Sequence, residues 1–305
     1  MKYIKSFALY EGVHDGSPIY NEIMGKLLHL YGSIPVPKEK SSVVISNIII
    51  SSMGELFKLG QNVDINFCKT HDKIRFSDYF DSLLNDKDSR GHNFEGFIAG
   101  LFGGKLSTRG AKYDLTIEGR RYSVKFVDHK SKAPEIGKFK SIITSNPILD
   151  AEVVDAGGLT KVFKSTNNRL KRRIWNLISA DIDGWILAYP DDINNPTNIV
   201  VNVVDKSEMF KVINLGYVVA PKGGYNDLYS LALSARYVSK GHYIKSVIKI
   251  PQVSLKELMN EYKTVQSEDW AIKVFGNMGY KIRPDVLRYI RLNKDNIIKR
   301  LNELD

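Results

Sequence analysis

Two short alternating runs on either side of Glu118-Gly119 constrain the fold of this chain more than any other feature. Tyr113, Leu115 and Ile117 alternate with Asp114 and Thr116, and Tyr122, Val124 and Phe126 alternate with Ser123 and Lys125. A period of two on both sides of a turn-competent pair predicts a β-hairpin. A two-residue loop at Glu118-Gly119 pairs Ile117 with Arg120. Asp114 then lies opposite Ser123, with Cβ atoms roughly 5 Å apart, and Lys125 is its diagonal neighbour at roughly 7–8 Å. One face of the hairpin therefore gathers an aspartate, a serine and a lysine. A loop one residue longer would shift the pairing and separate them.

The segment before the hairpin reads as a helix. Phe94, Phe97, Ile98, Leu101 and Phe102 recur at helical spacing and form a stripe facing a core. Glu95 stands about 100° round from Phe94, in line with Ile98 and Phe102 at the edge of that stripe. A carboxylate there is partly buried, which is costly unless something cationic meets it. Folded together, helix and hairpin put one lysine beside two carboxylates, a workable arrangement for holding a divalent metal against a phosphodiester.

This arrangement resembles the active site of the PD-(D/E)XK nuclease superfamily, which includes many restriction endonucleases, repair nucleases and junction resolvases. The resemblance covers roughly residues 91–190. It implies the element order helix, three-stranded meander, helix, strand. By position, Asp114 matches the metal-binding aspartate, Lys125 the catalytic lysine, and Glu95 the acidic residue that some members supply from the first helix. Residue 113 is Tyr where Pro is usual, and Ser123 stands where a second acid is expected. Ser-Val-Lys occurs in a subgroup of restriction enzymes that recruits the missing carboxylate from the following helix. Ala133-Pro134-Glu135-Ile136 reads as such a helix start, with Pro near its first turn. The second metal ligand is accordingly Glu135 or Glu95, and Ser123 is a hydrogen-bonding partner in the site. The resemblance further implies Mg²⁺ (or Mn²⁺) as cofactor, double-stranded DNA as substrate and a type II restriction-like endonuclease acting as a homodimer.

Charge supports a polyanionic partner. The chain carries 44 Lys+Arg against 34 Asp+Glu, a net charge of +10. Residues 1–90 hold 11 basic and 11 acidic side chains, whereas residues 91–178 hold 16 and 8. The positive excess thus falls on the segment with the candidate site, and clusters of this kind neutralise phosphates. The densest run, Lys161 to Trp175, contains Lys164, Asn168, Arg169, Lys171, Arg172 and Arg173 and no acid. Leu170, Ile174, Trp175 and Leu177 form its apolar stripe, which leaves Arg169, Arg172 and Arg173 on more exposed faces. Lys130 and Lys132, just beyond the lysine strand, complete the candidate nucleic-acid-binding set.

Other chemistries are poorly served. Gly100-Leu-Phe-Gly-Gly-Lys105 lacks the first Gly and the final Ser/Thr of a phosphate loop. The single cysteine, Cys68, has no evident His partner, and one Cys with six scattered His offers no zinc-ligand spacing. His92 and His129 flank the motif as candidate bases or phosphate ligands. No apolar run approaches the roughly 18 residues a membrane span needs, and Met1–Phe7 lacks the apolar core of a secretory signal. The expected location is the cytoplasm of a bacterial or phage-infected cell, or alternatively the virion.

The fold class that follows is α/β (α+β): a central mixed β-sheet flanked by helices, with a restriction-endonuclease-like core and helical additions at both ends. Residues 1–90 read as mainly helical (18–31, about 41–59 and 76–85), residues 91–250 as the nuclease-like core, and 251–305 as a helical tail. Within the core, helices are expected near 134–144 and 166–179, and strands at 184–189, 198–204 and 242–250. The alternative function is a non-catalytic DNA-binding or phage virion protein. Its motive is that Met1 to Gly12 looks like the start of many tailed-phage proteins, with Leu9-Tyr-Glu-Gly similar to head-maturation cleavage sites.

Overall fold

The computed structural model describes residues 18–31, 67, 70–85, 90–108, 110–117, 119–127, 133–192, 194, 196–221, 228–234, 244–250 and 254–257. A six-stranded mixed sheet forms the centre, in the order β1 (Lys105–Leu106), β2 (Leu115–Ile117), β3 (Arg120–Phe126), β5 (Gly184–Pro190), β6 (Asn198–Asp205) and β9 (Ile244–Lys249). Only β3 and β5 run parallel; every other pair is antiparallel. The hairpin has the register expected from its alternation, with Leu115 opposite Tyr122 and Ile117 opposite Arg120. Gly119 takes φ 74°, which closes the two-residue turn at no steric cost.

Helices cover both faces of the sheet. On one, α1 (Pro18–Tyr31), α2 (Phe76–Asn85) and α3 (Arg90–Leu101) share a core with Leu115, Val124, Ile186 and Val201. Helices from before and after residues 86–89 thus pack into one hydrophobic body. Contact between α1 and α3 is close because glycines face backbone at the crossing. A Cβ on Gly25 would lie 2.1 Å from the Phe97 carbonyl oxygen, and one on Gly100 would lie 1.9 Å from that of Glu22.

The other face packs α4 (Lys140–Thr144), α5 (Pro147–Asp155), α6 (Leu159–Lys164), α7 (Asn168–Ile178) and α8 (Lys206–Asn214) around a second core that includes Trp185, Leu187 and Val204. A small antiparallel sheet, β4 (Glu135–Lys138), β8 (Ser230–Leu233) and β7 (Val218–Val219), closes this side. With both faces covered, β5 is buried at every position. Among the described residues no helix is long and apolar enough to cross a membrane.

One expected element is overturned. The helix near 134–144 is instead strand β4 followed by the short α4. Pro134 offers no N–H, but its carbonyl accepts from Leu233 and Glu135 pairs with Ala232. A proline suits the entry of an edge strand as well as a helix N-terminus, and the distant β8 decides between them. Helices α5, α6 and α8 and the second sheet have no counterpart in the sequence pattern. The segments 1–17, 41–59 and 258–305 lie outside the described residues, and with them the motif at Leu9-Tyr-Glu-Gly and most of the tail.

Candidate active site

Asp114 immediately precedes β2, and its carboxylate turns onto β3. One oxygen, Oδ2, accepts from Ser123 Oγ at 2.9 Å, from the Val124 backbone N–H at 2.6 Å and from Lys125 Nζ at 3.2 Å. All three donors converge on that atom, and Oδ1 has no hydrogen bond among the described residues. The aspartate is thereby fixed in one rotamer, with its second oxygen uncommitted. The hairpin register identifies Ser123 and Lys125 as partners; the Val124 N–H has no side-chain signature and escapes sequence reasoning.

Glu95 joins this pair from α3. Phe94, fully buried, packs its ring 4.4 Å from that of Phe126 at the end of β3, and so ties the first turns of α3 to the lysine strand. Glu95 Oε2 contacts His92 Nδ1 at 3.3 Å, one helical turn back. Burial raises the Glu95 carboxyl above its ordinary value of 4.5, and the negative charge of Asp114 raises it further, while His92 and Lys125 work the other way. A half-buried Glu95 whose ionisation the charge of Asp114 opposes is what an added cation would relieve.

That penalty gives a pH test. Between 4.5 and its raised value, Glu95 holds a proton in the folded protein that the unfolded chain has already released. Stability therefore falls as pH rises through this window, and the penalty is complete above it. Glu95→Gln is expected to melt above the parent at pH 8 and to lose that advantage at pH 4. Thermal melts of both proteins check it; an equal advantage at the two pH values would rule out charge as the cause.

The donor set fits a hard divalent cation. Asp114 Oδ1 is uncommitted, and Glu95 Oε1 likewise has no hydrogen bond among the described residues. Among those residues, no group of three His, Cys, Asp or Glu converges on a metal-holding position. The protein thus offers two carboxylates, and the other positions would fall to water and substrate oxygens, the usual way Mg²⁺ is held beside phosphates. Glu135 does not stand on a helix as expected: it lies on β4 in the separate sheet, opposite Ala232. Of the two candidates, Glu95 is the one whose carboxyl responds to the charge of Asp114.

The hairpin is fastened at its far end. Arg120 bonds Asp205 at 2.6 Å, and the Arg121 N–H and guanidinium bond Asp183 at 2.8 and 3.3 Å. These pairs lock β3 to the last residue of β6 and to the turn that enters β5.

The basic helix forms as expected, α7, with Asn167 capping it by accepting from the Leu170 N–H. Lys164, Asn168, Arg169 and Arg172 are exposed. Lys171 corrects the expectation: it is only 4% exposed, and its Nζ donates to the Asn214 carbonyl at 3.1 Å. Its position places it on the buried stripe with Ile174, Trp175 and Ile178. Arg173 is engaged with Glu152 at 2.9 Å. Lys130, Lys132 and His129 lie outside the described residues.

No protein-family model matches the chain, and neither a curated protein nor a solved structure is significantly similar to it.

Proposed function

We propose that this protein is a metal-dependent endonuclease of double-stranded DNA built on a PD-(D/E)XK, restriction-endonuclease-like core. The observation that carries the reading is the Asp114 carboxylate: one oxygen is held by Ser123, Val124 and Lys125, the other has no hydrogen bond among the described residues, and its charge reaches Glu95 on α3. Element order supports the reading as well. Helix α3, the meander β1–β2–β3, helix α7 and strand β5 follow the superfamily order, with β5 parallel to β3.

Each residue then has a role. Ser123 and the Val124 N–H hold the Asp114 carboxylate in place. When bound, a divalent cation supplies positive charge to the phosphate and lowers the pKa of water. Lys125 brings an ammonium to the same place and stabilises charge developing on the phosphoryl oxygens. Lys164, Asn168, Arg169 and Arg172 supply an exposed basic surface for the DNA backbone. Cutting both strands of a duplex calls for two sites, hence a homodimer.

A supercoiled plasmid incubated with the protein tests this. Nicked or linear product is expected with Mg²⁺ or Mn²⁺ and none with EDTA. Plasmid retarded in a gel but intact in Mg²⁺ and in Mn²⁺ would replace this reading with the non-catalytic DNA-binding or virion one.

A further inference from the structure

A second anionic-ligand site is suggested by a cleft between α7, the start of α8 and the near end of β3. It holds about 710 Å³, within the range of small-ligand sites. Arg120, which lines it, begins β3, so the cleft lies about 16 Å along the strand from Lys125. It is thus separate from the Asp114 site.

Its charges do not cancel. The two acids in the wall are already paired, Asp205 with Arg120 at 2.6 Å and Asp183 with Arg121 at 3.3 Å. Arg172 and Lys206 remain as cations in the wall. Arg172 is exposed and has no ion pair or hydrogen bond among the described residues. Lys206 donates to the Ser179 carbonyl, a neutral partner that leaves its charge uncompensated. Beside them opens the N-terminus of α8. Asp205 holds the cap position but makes no side-chain capping bond, because its carboxylate is turned to Arg120. The exposed Ser207 follows in the first turn. Two cations and an uncapped helix start define a place for phosphate.

The floor is aromatic. Phe210 stacks on Trp175 at 5.8 Å and 25°, and Trp175 stacks on Trp185 at 5.4 Å and 30°. This column runs from the core to the cleft and leaves Phe210 half-buried at its outer end. A ring-shaped ligand can extend the stack, as nucleobases do on exposed aromatic side chains. Phosphate-binding groups beside a stacking platform match one ligand chemistry. We infer that this cleft binds a nucleotide, with its base against Phe210 and its phosphate between Arg172, Lys206 and the start of α8. The inference does not depend on whether Asp114 and Lys125 cut DNA.

Calorimetric titration of the full chain in EDTA, where metal-dependent cleavage cannot occur, tests it with deoxyadenosine 5′-monophosphate, deoxyadenosine and inorganic phosphate. Saturable binding of the monophosphate is expected, with each of the other two weaker by about tenfold or more. Phe210→Ala and Arg172→Gln should each weaken the monophosphate by about tenfold, the size of one stacked base or one charge-assisted contact. Asp114→Asn should leave it unchanged. Arg172 is exposed, so its variant is expected to fold even where Phe210→Ala does not, and circular dichroism verifies both. A short single-stranded oligonucleotide then distinguishes the source. Displacement of the monophosphate makes the ligand a residue of a DNA strand, and failure to displace it makes the ligand a free nucleotide. No saturable binding, or binding that survives Arg172→Gln undiminished, overturns the proposal.

Discussion

Asp114→Asn is expected to lower DNA cleavage by about 10³-fold, the scale seen when one electrostatic element of a catalytic site is removed, while the protein stays folded. The amide keeps the shape of the carboxylate, and its oxygen can still accept from Ser123 and the Val124 N–H. What disappears is the negative charge opposite Lys125 and one anionic ligand for a cation. Asp114→Ala differs in kind. It strips the acceptor from the Val124 N–H, on a residue only 3% exposed, and an unpaired buried donor costs about 1–3 kcal/mol. The asparagine variant therefore tests chemistry and the alanine variant tests support of the hairpin. Lys125→Ala should match the asparagine variant in cleavage. Wild-type cleavage rates from Asp114→Asn, measured on plasmid under saturating Mg²⁺, would withdraw the site assignment.

The largest effect on stability is expected at the crossing of α1 and α3. Gly100→Ala puts a methyl group 1.9 Å from the Glu22 carbonyl oxygen, and Gly25→Ala puts one 2.1 Å from that of Phe97. Both obstacles are backbone, so no side chain can swing aside and the helices themselves must separate. Overpacking of this kind costs about 3 kcal/mol or more. Because α3 also carries Glu95, the displacement would propagate to the site. Gly91 supplies the control. It sits in the first turn of the same helix, and a methyl group added there would meet nothing within 4 Å. Gly91→Ala should therefore stabilise by about 0.4–1 kcal/mol. Chemical denaturation of the three variants reads the contrast directly, and a Gly100→Ala protein as stable as Gly91→Ala would show that the crossing is looser than its geometry.

The hairpin is legible in the sequence because strand alternation and a short turn leave almost no freedom in register. For the same reason Asp114, Ser123 and Lys125 fall on one face by alternation alone. Helices α1 and α2 and strands β5, β6 and β9 are legible from long apolar patterns. Glu135 misleads because Ala-Pro-Glu-Ile is compatible with both a helix start and a strand entry, and the partner that decides lies about a hundred residues away on β8. Lys171 misleads because a basic run conceals which of its members lies on the buried side. His92 is visible as a histidine flanking the motif, and helical spacing alone is enough to place it one turn before Glu95, in reach of that carboxylate. The cleft at α8 draws on β3, α7 and α8 together, and no local pattern announces such a meeting.

The parallel pairing of β3 with β5 bears on how the molecule comes into being. Asp114 and Lys125 are close in sequence and can meet as soon as their hairpin closes, on the microsecond scale of such events. Strand β5 can reach β3 only after the chain from 127 to 183 has laid down β4 and four helices. Long-range parallel pairing of this kind is slow because loop-closure entropy is spent before the contacts form. During synthesis, then, the two central residues of the site can come together on their own hairpin before the chain that completes the sheet beside them has been made.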